Sequence, residues 1–382
     1  MAIAGSFMIA SAEMGNAAGD MDYLTGRIIK QLILTGVALV AGYFLSIFNL
    51  EKLIKKKTRG KIIEFGAWIL YFVCLALLLL CLAFEPINGA NAWITITSGF
   101  TVQPSEFGKI AVILLGAAIF SVDHKEKNVR KFWAFAIASL VYVFIILVLQ
   151  HDTGSAVVLA LIAYCVALVP DYKELKKIHK WMLVLVVVAV IVFCLLMSPS
   201  FNEWLSDLAE DTEDYRIARI IVAYNPFNYE YDYGYHLIMS LVCFAQGGIR
   251  GMGWNKSIHK YMNFPNPSSD FILPVMVEEL GIGGFIGFVV LYCAMLGPLI
   301  YYSIKIKKTG AKIIIFGTFL YFIVHFILNV GGVSGFIPLT GVPILLLSSG
   351  GSSLLSGVAA IGLCQNAIER YNEENENNSR EI

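Results

Sequence analysis

Apolar runs close to the length needed to cross a lipid bilayer recur along this chain of 382 residues. The hydrocarbon core is about 30 Å thick, so a spanning helix needs about 20 mostly apolar residues. Lipid offers the backbone no hydrogen-bond partner, and each such run must therefore be helical. The runs lie at about 32–48, 63–84, 105–121, 132–149, 154–169, 181–198, 271–302, 313–332 and 343–365. The sequence predicts an all-α, polytopic integral membrane protein.

The first apolar run, residues 2–12, is too short to span at about 1.5 Å per residue. A secretory signal peptide would carry a basic segment before its apolar core, and none precedes this run. We interpret it as a first helix that is shortened here, as by a start codon placed too late. The expected number of spans is then about ten.

Composition excludes several classes of protein. Charged residues make up 15% of the chain, below the roughly 25% of soluble domains. The 28 basic and 28 acidic residues balance, so no overall positive field would attract nucleic acid. The seven cysteines form no CxxC pattern, and six lie in apolar runs. The sequence also lacks a Walker loop, a GxSxG elbow and an HExxH motif, which leaves ATP hydrolysis and standard hydrolase chemistry without support.

Basic residues predict the orientation. Lys/Arg-rich loops at about 52–61, 125–131, 173–180 and 305–312 all fall on the same side of the spans. The positive-inside rule makes that side cytoplasmic. The other loops, including the long segment of about 199–270 between helices 7 and 8, then face outward. We expect 1–370 to form one transmembrane domain and the acidic, Asn-rich tail 371–382 to be disordered in the cytoplasm.

The outward segment 199–270 is too long to be a simple linker. An acidic run at 203–214 precedes an aromatic cluster at 224–235, and glycines concentrate at 247–253. This aromatic and glycine content argues against disorder. We expect an amphipathic or re-entrant helix near the membrane surface, followed by a structured loop.

Ionisable residues inside spans are informative because a charge in lipid is costly. Glu106 and Lys109 are three residues apart, on one helix face, where they can pair. The pair is either structural, or Lys109 neutralises an anionic lipid head group in an outward cavity. Glu278 and Glu279 lie about two turns into another span. At least one of them should face the protein interior or a cavity.

Residues just outside the spans are further candidates. Asp152 and Asp270 each precede a predicted helix, where an aspartate commonly caps the helix N-terminus. Asp270 also lies at the water–membrane rim beside the long loop, a suitable place for a general base whose pKa is raised by burial. Arg216 and Arg219, three residues apart in the outward segment, can clamp a phosphate or pair with acidic neighbours.

Several of these segments, in their order along the chain, resemble one bacterial family. They are Trp93, Gln103-Pro104-Ser105-Glu106 with Lys109, Gln150-His151-Asp152-Thr153-Gly154, Gly247-Gly248 to Gly253, Asp270-Phe271-Ile272, Glu278-Glu279-Leu280-Gly281, and Asn329 to Gly351. Each motif alone is weak, but the ordered set is specific and covers nearly the whole chain. The chain resembles the SEDS family (shape, elongation, division and sporulation proteins), which includes RodA, FtsW and SpoVE.

The resemblance implies a glycosyltransferase of the bacterial plasma membrane that polymerises lipid II into peptidoglycan glycan strands. The family's proposed catalytic aspartate aligns with Asp270. The leaving group is undecaprenyl pyrophosphate, no nucleotide is needed, and the sugar linkage is inverted. A divalent cation (Mg²⁺ or Mn²⁺) is a candidate cofactor, and a class B penicillin-binding protein, a transpeptidase, is the implied partner. The expected substrate-binding residues are Trp93, Glu106, Lys109, Asp152, Arg216, Arg219, Glu278 and Glu279.

The chain departs from the family pattern at six positions. They are His151, His236, Met239, Met252, Leu345 and Ser349. Because Asp270, Trp93, Glu106 and Lys109 are retained, the departures bear on substrate affinity, partner choice or subfamily rather than on the chemistry. A lipid II flippase and a catalytically weakened scaffold of the division or elongation machinery remain alternatives. The sequence does not distinguish a role in elongation, division or sporulation.

Overall fold

A computed structural model describes the chain except for residues 18–19, 49–58, 88, 98–99, 122–128, 200, 202–203, 206–214, 230–233, 263, 265 and 381–382. It does not describe the side chains of 59–64, 215–218 and 378–380 either. The main helices are α1 Ala2–Ala17, α2 Met21–Ile47, α3 Arg59–Leu80, α4 Pro104–Phe120, α5 Val129–Phe144, α6 Thr153–Leu168, α7 Lys176–Leu196, α8 Tyr215–Tyr224, α9 Tyr235–Gly247, α10 Ile272–Lys305, α11 Thr309–Val333 and α12 Gly351–Arg380. One hairpin joins β1 Ile94–Thr97 to β2 Phe100–Val102.

The helices confirm an all-α polytopic membrane protein. Within the described residues, 7 helices are long and apolar enough to cross a membrane. Helices α1, α4 and α6 have 16, 17 and 16 residues, so each is about 25 Å long and shorter than the usual span. The total of ten spans and the outward position of the segment 199–270 stay predictions.

Helix α4 forms the centre of the bundle. Pro104 occupies its first turn, where the missing backbone N–H breaks no helical hydrogen bond. Nearly every residue from Pro104 to Phe120 is buried, and α3, α6 and α11 pack around the helix. The burial explains why α4 is apolar on all sides except at Glu106 and Lys109. These two charges therefore lie inside the protein, away from lipid.

Helices α2 and α12 pack closely along their length. A β-carbon at Gly362 would lie 2.3 Å from the carbonyl oxygen of Gly42, so the two backbones touch at a point where no side chain fits. Small residues at such crossings are a common means of helix association in membranes. About one turn further along, the Asn366 amide donates hydrogen bonds of 2.8 Å to the carbonyls of Ser46 and Phe48.

Helix α10 is interrupted at Gly281, where φ is +69°. A β-carbon there would lie 2.4 Å from the carbonyl oxygen of Ile249, so only glycine fits. The main-chain carbonyls of Glu278 and Glu279 accept hydrogen bonds of 2.9 Å from the backbone N–H groups of Met252 and Gly253. The break ties the first part of α10, which begins just after Asp270, to the preceding glycine-rich loop.

Three local features refine the sequence predictions. The segment between α7 and α10 contains α8, α9 and short 3-10 turns, while most of the acidic run 203–214 lies outside the described residues. The β1–β2 hairpin, which pairs Ile94 with Val102, was not predicted. The tail expected to be disordered instead continues α12 to Arg380. Its Glu374 forms an ion pair with Lys308, and glutamates are good helix formers.

Candidate functional site

A cavity of about 870 Å³ collects most of the candidate residues. It is bounded by the β1–β2 hairpin, α4, the start of α6, α8, α11 and the loop between α11 and α12. Six of the nine predicted site residues line it, namely Trp93, Glu106, Lys109, Asp152, Arg219 and Asp270. They come from five separate parts of the chain, so only the fold brings them together.

A hydrogen bond to its main-chain carbonyl holds Asp270 at the cavity wall. The Asn329 amide donates hydrogen bonds of 2.8 Å to the main-chain carbonyls of Asp270 and Val342. These bonds join the start of α10 to α11 and to the loop that follows α11. The side chain remains partly exposed and lines the cavity. Asp270 is therefore fixed in position while its carboxylate stays available.

The electrostatic environment of Asp270 suits proton transfer. Burial raises the pKa of its carboxyl from 3.8 to about 7. The positive charge of Arg219 and a hydrogen bond from Ser269 oppose that rise, and the negative charge of Asp152 adds to it. A carboxyl group with a pKa near neutrality exchanges a proton readily at the working pH. A pKa near 7 is compatible with the general base expected from the sequence, and the catalytic role of Asp270 stays a prediction.

Asp152 caps a helix, which is one of the roles that the sequence left open, and it also lines the cavity. Its Oδ1 accepts a hydrogen bond of 3.0 Å from the Ser155 backbone N–H, and so caps α6. Its Oδ2 accepts a bond of 3.0 Å from the Gln103 side-chain amide, one residue before α4. The same carboxylate lines the cavity. Asp152 therefore joins two helix starts at the site.

Glu106 and Lys109 form the expected ion pair, with 2.7 Å between Oε1 and Nζ and almost no exposure of either side chain. The second carboxylate oxygen of Glu106 accepts a hydrogen bond of 2.5 Å from the Tyr321 hydroxyl. Lys109 Nζ also lies 3.1 Å from Nε2 of His325. A buried ion pair that lines a cavity keeps its charge accessible to a ligand without exposing it to lipid.

Glu278 and Glu279 are also buried, but they do not line the cavity. Glu278 accepts hydrogen bonds from the Ser257 hydroxyl, the Ile258 backbone N–H and the His259 ring. Glu279 pairs with the fully buried Lys260 at 2.9 Å and accepts a bond from Ser11. Both carboxylates thus face the protein interior, as expected, and their described contacts join α10 to the preceding loop and to α1.

Arg216 belongs to α8, but its side chain lies outside the described residues. Further polar residues that were not among the candidates also line the cavity, among them Arg27, Gln103 and His325. Arg27 forms an ion pair of 2.5 Å with Glu13. A sequence signal for Arg27 existed, because it falls near the predicted outward end of a span, where basic residues are scarce.

Among the described residues, one group of side chains has the types and spacing that could hold a metal ion. This group, formed by Cys243, His259 and Glu278, places its ligand atoms within 4.8 Å of one another. These side chains are buried and do not line the cavity. The hydrogen bonds of Glu278 to Ser257 and His259 already account for its oxygens. The group is therefore a weak metal candidate, and it lies apart from the carboxylates of the cavity.

Comparison with known proteins gives consistent results. The profile of the FtsW, RodA and SpoVE family, described as "Cell cycle protein", matches residues 1–373. The "Probable peptidoglycan glycosyltransferase FtsW" of Bacillus subtilis (strain 168) is 31% identical over 322 residues, covering 83% of this chain and 76% of that relative. "Stage V sporulation protein E" of the same organism is 28% identical over 353 residues, covering 90% and 86%.

Two solved structures share the fold. One is described as "Structural coordination of polymerization and crosslinking by a peptidoglycan synthase complex"; it has a TM-score of 0.70 and 21% identity, and 97% of each chain is covered. The other is the rod shape determining protein RodA of Thermus thermophilus, with a TM-score of 0.61, 20% identity, and 97% and 96% coverage. At these identities the likeness concerns the fold alone.

Proposed function

The chain belongs to the FtsW, RodA and SpoVE family of cell cycle proteins, and from this premise we propose that it is a peptidoglycan glycosyltransferase that polymerises lipid II. One observation carries the proposal. The carboxyl of Asp270, with its pKa raised to about 7, lines the same cavity as the cations Lys109 and Arg219. A base and a set of cations are what a sugar transfer with a diphosphate leaving group requires.

The reaction joins two lipid-linked sugars. Asp270 removes the proton from the 4-hydroxyl of the acceptor, lipid II, as the hydroxyl oxygen attacks the anomeric carbon of the growing glycan. The bond from that carbon to the diphosphate breaks, and undecaprenyl pyrophosphate leaves with the electron pair. Attack from the opposite face inverts the α-linked donor to a β-1,4 linkage. No nucleotide takes part, in keeping with a sequence that lacks nucleotide-binding motifs.

Lys109 and Arg219 would neutralise the diphosphate, whose negative charge increases as the bond breaks. Arg216, on the same helix as Arg219, is a further candidate from the sequence. The carboxylates of Asp152 and Asp270 offer oxygen ligands of the type that Mg²⁺ and Mn²⁺ prefer, so a divalent cation fits this donor set and would supply additional positive charge.

Unpartnered polar atoms also favour a polar ligand. Among the described residues, Asn329 Oδ1 and Thr340 Oγ1 are buried and have no hydrogen-bond partner. Both residues line the cavity. Buried polar atoms usually have partners, and sugar hydroxyls would supply them here. The remaining substrate contacts are expected from Trp93, Glu106 and Asp152.

The cellular setting follows from the proposed reaction. The site opens on the extracytoplasmic side of the bacterial plasma membrane, and the C-terminus lies in the cytoplasm, as the basic loops predict. A class B penicillin-binding protein would crosslink the glycan made here. One of the solved structures that contain a chain with this fold is described as "Structural coordination of polymerization and crosslinking by a peptidoglycan synthase complex".

The decisive experiment is a gel assay for glycan polymer with purified lipid II, the detergent-solubilised protein and its cognate transpeptidase. We expect polymer from the wild type and none from Asp270→Ala. Asp171→Ala, which removes an exposed carboxylate on the predicted cytoplasmic side, is the matched control and should make polymer normally. Equal polymer from Asp270→Ala and the wild type would rule out Asp270 as the base.

The alternatives give different outcomes in the same system. A flippase would move lipid II across vesicle membranes and make no polymer. A scaffold would make no polymer with its partner verified as bound, and Asp270→Ala would leave growth unchanged. The candidate residues cluster on one face of the molecule. That arrangement favours the polymerase, because a transporter needs its site to be reached from both faces.

A further inference from the structure

His325 connects Lys109 to the loop that closes the cavity. Its Nε2 lies 3.1 Å from the Lys109 ammonium nitrogen, and its Nδ1 lies 2.9 Å from the carbonyl oxygen of Pro343. The ring is fully buried, yet it contributes to the cavity wall. His325 belongs to α11, Lys109 to α4, and Pro343 to the loop between α11 and α12. One ring therefore joins three separate parts of the site.

The two contacts determine where the imidazole carries its proton. A carbonyl oxygen can only accept a hydrogen bond, so Nδ1 must be the protonated nitrogen that donates to Pro343. Nε2 then has a free lone pair and accepts from the Lys109 ammonium. The hydrogen bond made by one ring nitrogen fixes the state of the other. His325 therefore acts toward Lys109 as a neutral acceptor.

The hydrogen bonds of the Lys109 ammonium leave room for a ligand. The group has three N–H donors. One is directed to Glu106 Oε1 at 2.7 Å and one to His325 Nε2 at 3.1 Å. Among the described contacts, the third donor is not used within the protein. Because Lys109 lines the cavity, that donor is the one a bound anion would accept.

Another neighbour of the Glu106–Lys109 pair, Tyr321, does not line the cavity. The Tyr321 hydroxyl bonds Glu106, and the Tyr321 ring centroid lies 5.7 Å from Lys109 Nζ. Tyr321 is not among the residues that line the cavity, whereas His325 is. Tyr321 therefore supports the Glu106–Lys109 pair from behind. At the cavity wall, His325 and Glu106 together restrict the ammonium group.

We propose that His325 is a positioning residue: through Lys109, it holds the ammonium group in the orientation that binds the diphosphate of a polyprenyl-linked substrate. The inference rests on the proposed function, because it assigns the diphosphate to Lys109. His325 itself need not touch the substrate. Glu106, the ion-pair partner of Lys109, also accepts a hydrogen bond from Tyr321, and His325 supplies a second acceptor that orients Lys109.

Binding of a polyprenyl diphosphate without a sugar, such as geranylgeranyl diphosphate in detergent, tests this without turnover. Calorimetry on the full-length protein gives its affinity. His325→Leu removes the acceptor of a buried ammonium hydrogen and should weaken binding about tenfold. His325→Gln, whose amide oxygen can accept from Lys109, should restore affinity to within about threefold. His179→Leu, a half-buried histidine on α7 that contacts the Ala167 carbonyl, is the matched control.

A double-mutant cycle separates positioning from packing. If His325 acts through Lys109, His325→Leu should have no further effect on affinity once Lys109→Met is present. An equal loss in both backgrounds, or a failure of His325→Gln to restore binding, would overturn the inference. If the wild type binds no polyprenyl diphosphate, the proposed function itself fails. If it binds and His325→Leu binds equally well, only the role of His325 is refuted.

Discussion

Two sets of carboxylates lie close together along the chain and differ in what surrounds them. Asp270 faces a cavity, and the charges that act on it come from Arg219 and Asp152 rather than from a direct ion-pair partner. Glu278 and Glu279, about two turns further along, are enclosed by donors of the chain itself. A carboxylate whose contacts are made within the protein stabilises the fold, whereas one held rigidly at a cavity is available for chemistry.

The largest effect that tests this contrast is expected for Glu278 and Glu279, the enclosed set of carboxylates. Lys260→Met should leave the carboxylate of Glu279 buried without its cation, at a cost of about 3–5 kcal/mol in the free energy of unfolding. The loss would appear as a lower melting temperature and a lower folded yield in detergent. Lys256→Met, which changes an exposed lysine four residues earlier, is the matched control and should be nearly neutral.

The Lys260→Met variant can also contradict the contrast between Asp270 and the enclosed carboxylates. Folded Lys260→Met or Glu279→Gln protein should polymerise lipid II with an unchanged KM, because neither residue lines the cavity. A clear rise in KM with normal stability would instead return Glu279 to the substrate-binding residues that the sequence suggested.

The second prediction concerns the pH dependence of polymerisation. Asp270 acts as a base only when ionised, and burial raises its pKa to about 7. The value of kcat/KM should therefore be level above about pH 7 and fall about tenfold per pH unit below it. Rates measured between pH 5 and 9 with lipid II check this. A profile that stays level down to pH 5 would mean that the base is an ordinary solvated carboxylate.

The third prediction uses the charge opposite Asp270. Arg219 lowers the pKa of the Asp270 carboxyl against the larger effect of burial. Arg219→Gln should move the acidic limb of kcat/KM to higher pH, by less than about one unit, and Arg219→Lys should move it less. The position of the limb is the readout, since the plateau also falls if Arg219 binds diphosphate. Arg130→Gln, an exposed arginine on the predicted cytoplasmic side, should leave the profile unchanged.

The sequence was sufficient to predict the membrane fold and six residues that line one cavity, Asp270 among them. Apolar runs locate helices because lipid permits no other backbone, and the ordered motifs identified Asp270. His325 shows the limit of that reasoning. It lies within an apolar run and 216 residues from Lys109, so no local pattern marks it. The prediction that Glu278 and Glu279 bind substrate shows another limit. A charge within a span indicates that the side chain is buried, but the sequence does not indicate whether that side chain faces the cavity or another part of the protein interior.

The smallest expected effect concerns stability rather than rate. Because the folded pKa of Asp270 is about 7, above the ordinary 3.8, ionising this carboxyl destabilises the fold. The penalty is absent below about pH 4, develops between pH 4 and 7, and is complete above pH 7. Asp270→Asn carries no charge there and should melt higher than the wild type at pH 8, by about 1–2 °C, with no difference at pH 4. Partial exposure of the side chain keeps the effect small.

The enclosed set supplies the comparison for that measurement. Glu278→Gln replaces a carboxylate that accepts bonds from Ser257, His259 and the Ile258 backbone, so at pH 8 it should lower the melting temperature where Asp270→Asn raises it. Opposite signs for two carboxylate-to-amide changes near the start of one helix would show that the fold holds Asp270 ready for proton transfer at the expense of stability. If Asp270→Asn lowered the melting temperature at pH 8 as Glu278→Gln does, Asp270 would belong with the structural carboxylates.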